Sequence, residues 1–151
     1  MALLKKWTEQ DGCFGIWRVT ESVETLMTML DDTDRYAREL HDMKSEARRL
    51  EYVAVRVLLK ELLNKEVHID HLPSGKPFLI DYDCNISISH TRGYVAVALH
   101  RVMEPGIDIE YYSERVKKVA SRFMGVTEMK NVEGYTGVEY IHMLMLHWSA
   151  K

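Results

Sequence analysis

"SEARRLEYVAVRVLLKELLN", Ser45 to Asn64, carries apolar residues at Ala47, Leu50, Val53, Ala54, Val57, Leu58 and Leu62. Steps of three and four residues are the period of one helix face, so the stretch predicts a long amphipathic helix. Ser45 in front of it supplies the hydroxyl of an N-cap. Downstream, "HLPSGKPFLI" contains Pro73, Ser74, Gly75 and Pro77, the residues of a turn, and then enters a short strand. "NISISH", "YVAVALH" and "GIDIE" read as three further strands, the first two joined through "TRG" as a hairpin. Upstream, "CFGIWRVT" alternates as a strand does, and Glu21 to Leu40 reads as a helix with a charged middle. A meander of strands beside a long helix is an α+β arrangement. After it, Ser113 to Met124 turns helical, and "GVEYIHMLMLHWSAK" begins another helix that the sequence ends without a cap.

Composition limits what such a fold could do. With 151 residues and 46% of them apolar, the chain can bury one respectable core or two small ones. No apolar run approaches the roughly 20 residues of a membrane span, and "MALLKKWTEQ" turns polar too early for a secretory signal, which predicts a cytoplasmic protein. Cys13 and Cys84 stand far apart with no metal-ligand spacing around either. A net charge of −3 gives no general reason to bind nucleic acid, so any anion site must be local.

The chemistry centres on "GIDIE". On a strand, Asp108 and Glu110 share a face with Cα atoms roughly 6.5–7 Å apart, within reach of one hard cation. Ile107 and Ile109 then point to the opposite face and can bury. Two carboxylates without His or Cys suit Mg²⁺, whose shell is completed by water and phosphate oxygens. A strand with one exposed acidic face gives the same pattern. The neighbouring motifs favour the cation: "SGKPF" sets Lys76 on a turn, "SISH" ends a strand with Ser89 and His90, and "RRLEYVAVR" carries Arg48, Arg49 and Arg56 along a helix. Such groups spread the charge of phosphates bound beside a metal.

The ordered set "RRLEYVAVR", "SGKPF", "ISISHT", "GIDIE", "RFM..TE" and "HWSAK" resembles the 4′-phosphopantetheinyl transferase superfamily, in its two-halved type. The resemblance runs from about Arg48 to Lys151. It implies two similar α+β halves, with residues 1–104 as the N-terminal half and 105–151 as the start of a truncated second half. It also implies a reaction in which a serine of an acyl or peptidyl carrier protein attacks coenzyme A in the presence of Mg²⁺ and releases 3′,5′-ADP. By the same resemblance Asp108 and Glu110 hold the metal, while Lys76, Ser89 and His90 contact the phosphates of coenzyme A. Arg48 lies near its 3′-phosphate, Glu128 is the general base or a third acid, and Lys151 contacts phosphate. Glu128 has an equally good reading as a helix N-terminal acid. Trp148 reads as core packing.

The family pattern continues with a glutamate directly after the lysine that Lys151 matches, and a second lysine follows. Neither is present, so a non-catalytic remnant that binds coenzyme A or a carrier protein stands beside the transferase as an alternative. An incomplete second half would also leave Met143, Leu144, Leu146 and Trp148 uncovered, which predicts self-association.

Overall fold

A computed structural model describes residues 3–149, the side chains of 147–149 excepted. It is a mixed α+β protein that divides into two compact units between Ile109 and Glu110. Among the described residues no helix is long and apolar enough to cross a membrane.

The first unit is built on the predicted long helix. This helix, α3, spans Glu46–Leu63; the Arg48 amide donates to the Ser45 hydroxyl at its start, and Asn64 ends it in the left-handed conformation at φ 55°. Every residue from Val53 to Leu59 is buried, so the helix is covered well beyond one stripe, whereas the first apolar position of the pattern, Ala47, is exposed.

Its main cover is an antiparallel sheet of β1 (Leu3–Glu9), β2 (Gly12–Arg18), β5 (Asn85–Thr91) and β6 (Tyr94–His100), in the order β1-β2-β6-β5. Gly15 on β2 allows the closest approach: a Cβ there would lie 2.9 Å from methyl groups of Leu58 and Leu62. The β5–β6 connection is the two-residue turn expected of "TRG", with Gly93 supplying φ 80°. β1, at one sheet edge, was not anticipated; it is tied to β2 by stacking of Trp7 on Phe14 directly across the pair, with ring centroids 5.3 Å apart. A separate two-stranded ribbon, β3 (Ile69–His71) and β4 (Pro77–Leu79), flanks the turn that carries Lys76.

Two expectations change here. The helix predicted over Glu21–Leu40 is two helices, α1 (Val23–Met27) and α2 (Thr33–His41). Ser22 caps the first, and Asp32 in the charged middle caps the second, its Oδ1 accepting from the Arg35 amide. Side chains that compete for backbone hydrogen bonds break a helix as readily as they begin one. Glu66 then fastens the break: its carboxylate accepts from the Asp31 and Asp32 amides at 2.6 and 2.9 Å. Glu66→Ala is expected to lower stability by about 1–3 kcal/mol in urea denaturation, and Glu66→Gln, which keeps an acceptor, to recover part of the loss.

The second change concerns "GIDIE". It is not a strand of the sheet, and the neighbour of β6 away from β5 is β2. The segment runs beside β5, but the Ile107 and Ile109 amides donate to the hydroxyls of Ser87 and Ser89, at 3.3 and 3.1 Å. Side-chain acceptors thus stand where a strand would offer carbonyls. The predicted alternation survives in burial: Ile107 and Ile109 are half-buried and Asp108 is exposed.

The second unit holds α4 (Arg115–Phe123), α5 (Val126–Asn131) and α6 (Gly137–Ser149). Val116, Ala120, Met124, Val132, Ile141 and Leu144 form its core. Leu144, expected to be uncovered, is fully buried within this unit, and Met143 is partly buried against its core. Leu146 remains exposed, and the Trp148 side chain lies outside the described residues.

Candidate functional site

The sequence places Arg48 and His90 forty-two positions apart, and the fold brings them to one open cleft of about 920 Å³. One wall is the face of α3 carrying Arg48, Glu51, Tyr52, Val55 and Arg56; α2 contributes Arg35 and Glu39, β3 contributes Asp70, and β5 contributes Ile88 and His90. Residues 48, 52 and 56 recur every four positions, which puts them in one row along the helix. Ile88 and His90 alternate with Ser87 and Ser89, so only the former pair faces α3.

The acids of the cleft are engaged. Glu39 pairs with Arg35 at 3.1 Å, and the Asp70 carboxylate accepts the His71 amide at 2.8 Å. Glu51 lies 3.4 Å from His90 Nδ1, which leaves Nε2 as the imidazole nitrogen available to a ligand. Among the described residues Arg48 makes no ion pair. The cleft therefore presents Arg48 and His90 beside apolar surface, with the formal charges of Arg35, Arg48 and Arg56 matched by those of Glu39, Glu51 and Asp70.

Arg56, in sequence one of a row of basic residues, is the most unusual group here. Its side chain is 7% exposed, with Nη1 donating to the Tyr52 carbonyl at 3.0 Å and the guanidinium 3.3 Å from the Tyr52 ring centroid. Its Nε is buried without a partner. Burial lowers its pKa to about 10, against the opposing pull of the Glu39 charge. A buried charge so thinly compensated opposes folding. Arg56→Met is therefore expected to raise the thermal midpoint by a few degrees, on the order of 1 kcal/mol. A lower midpoint would show that the ring and carbonyl contacts outweigh desolvation.

The other candidates of the first unit lie elsewhere. Lys76, beside the β3–β4 turn, forms an ion pair with Glu104. Ser89 faces away from the cleft and donates to Asp108 Oδ1 at 3.0 Å. The stretch that carries Asp108 is shaped from its start: His100 Nδ1 accepts from the Val102 and Met103 amides, and Asn85 Nδ2 donates to the Met103 carbonyl. Asn85, Ser87 and Ser89 thus form three side-chain rungs on one face of β5. Their signal was visible in sequence as small polar residues at every second position of "NISIS".

Glu110 opens the second unit as an exposed residue. Glu128 is the third residue of α5, and its Oε2 accepts the Gly125 amide at 2.6 Å, the local role of a helix N-terminal acid. Lys151 lies outside the described residues. Asp108 and Glu110 each carry carboxylate oxygens, the hard donors that Mg²⁺ takes. Among the described residues no group of three or more His, Cys, Asp or Glu side chains gathers to hold a metal.

Neither a protein-family model nor a curated protein matches the chain.

Proposed function

We propose that this protein is a 4′-phosphopantetheinyl transferase whose first unit binds the 3′-phospho-ADP portion of coenzyme A. The observation that carries the reading is the meeting of Arg48 and His90 in the α3 cleft, two groups that the family resemblance assigns independently to the same ligand. Its support from sequence is the order of six motifs between Arg48 and Lys151. On this reading the fold is the transferase type, with the first unit as its N-terminal half.

In the reaction a carrier-protein serine oxygen bonds to the pantetheine-side phosphorus. The bond from that phosphorus to the bridging oxygen breaks, 3′,5′-ADP departs and the serine proton passes to a base. Arg48 and His90 fix the nucleotide, and Lys76 binds phosphate after exchanging Glu104 for it. By the family resemblance Glu128 would accept the serine proton, directly or through water. Asp108 and Glu110 would hold Mg²⁺, which would supply charge neutralisation. Phosphoryl transfer depends chiefly on positioning and electrostatics, which fixed cations and carboxylates provide.

Binding separates from chemistry experimentally. Calorimetry with 3′,5′-ADP should show saturable binding that weakens as salt rises, and Arg48→Ala or His90→Ala should each weaken it about tenfold. A folded protein with no saturable binding at low salt would remove the proposal.

A further inference from the structure

We infer that Ser89 is a positioning residue for Asp108 and not a ligand of the coenzyme phosphates, an inference that rests on the transferase reading and refines it. A serine hydroxyl has one proton to donate and lone pairs to accept with. Here both capacities are used: Oγ–H donates to Asp108 Oδ1 at 3.0 Å, and Oγ accepts the Ile109 amide at 3.1 Å. Phosphate oxygens accept hydrogen bonds. To reach one, Ser89 would have to release the carboxylate it holds.

Strand geometry gives a second, independent reason. Adjacent residues of a strand point to opposite faces, and His90 lines the α3 cleft while Ser89 does not. One group that binds the ligand from the cleft and a neighbour turned to the far face divide the "SH" pair into two roles. His90 recognises the nucleotide. Ser89 and the Ile109 amide form a closed link that sets the backbone on either side of Asp108, and Ser87 repeats the link one rung earlier through the Ile107 amide at 3.3 Å. With Oδ1 engaged by Ser89, Asp108 presents Oδ2 to a hard cation in a defined orientation. Restricting a carboxylate in this way reduces the freedom lost when it binds and raises its effectiveness as a ligand.

Ser89→Ala and Ser89→Thr, with His90→Ala for comparison, test the assignment. In EDTA, affinity for 3′,5′-ADP should be unchanged in Ser89→Ala and about tenfold weaker in His90→Ala. Ser89→Ala should require about tenfold more Mg²⁺ for half-maximal transfer, and in the ligand-free protein its Ile109 amide should exchange with solvent about tenfold faster or more. Ser89→Thr, which keeps the hydroxyl, should restore both. If Ser89→Ala weakens metal-free 3′,5′-ADP binding as much as His90→Ala does, or leaves Ile109 exchange and the Mg²⁺ requirement unchanged, the inference is wrong while the transferase reading stands. If the wild-type protein binds no 3′,5′-ADP, the transferase reading fails and takes the inference with it.

Discussion

Asp108→Ala should reduce transfer by about a hundredfold or more at saturating coenzyme A, with little change in the melting midpoint. Removing one fixed electrostatic group from a site of this kind typically costs about 10²–10³ in rate. The fold should tolerate the change because Asp108 is exposed and its side chain accepts from the hydroxyl of Ser89 at the surface, while Ile107 and Ile109 are the half-buried residues of the segment. Coenzyme A binding in EDTA should be retained, since Arg48 and His90 lie in the cleft on the other face of β5. Transfer near the wild-type rate at limiting Mg²⁺ would remove Asp108 from the metal site.

The largest stability effect should come from Trp17→Ala. Trp17 is 1% exposed in the core of the first unit, with Nε1 reaching Glu21 Oε2 at 3.4 Å. Truncating a buried tryptophan removes its transfer free energy and leaves a cavity, a loss of about 3–5 kcal/mol. The thermal midpoint should fall by roughly 10 °C or more. Trp17→Phe should lose less. A fall of only about 2 °C in the alanine variant, against a conversion of a few degrees per kcal/mol, would mean that the sheet and α3 close over the space.

Strong local signals made much of the first unit legible in sequence. The seven-position apolar pattern and Ser45 located α3, and "TRG" between two alternating runs located the β5–β6 hairpin. β1 was overlooked because its residues "LLKKWTE" do not alternate cleanly and are mostly exposed at the sheet edge. α5 is six residues long, too short to show a period. For "GIDIE", periodicity separates the half-buried isoleucines from the exposed acids, but hydrogen-bond partners are not encoded in periodicity. Its partners are serine hydroxyls, and extended chain of either kind alternates alike.

The candidate site was legible as residue types and less so as geometry. Arg48 and His90 do share a cleft. Ser89, adjacent to His90 in sequence, lies on the opposite face of the strand, and Lys76 is paired with Glu104 beside the ribbon turn. Glu51 gives no signal in sequence because a charged residue in an amphipathic helix ordinarily faces solvent, and only the tertiary fold shows which charges are turned into a cleft.

The measurement closest to the central claim is pantetheine transfer itself. The protein is incubated with coenzyme A, Mg²⁺ and apo carrier proteins, and the carriers are weighed by mass spectrometry while 3′,5′-ADP is quantified. The account predicts that at least one carrier gains the mass of one phosphopantetheine arm on its serine, with one 3′,5′-ADP released per arm and no gain in EDTA. Carriers that an active transferase loads in parallel, yet that gain nothing here under any Mg²⁺ concentration, would contradict it.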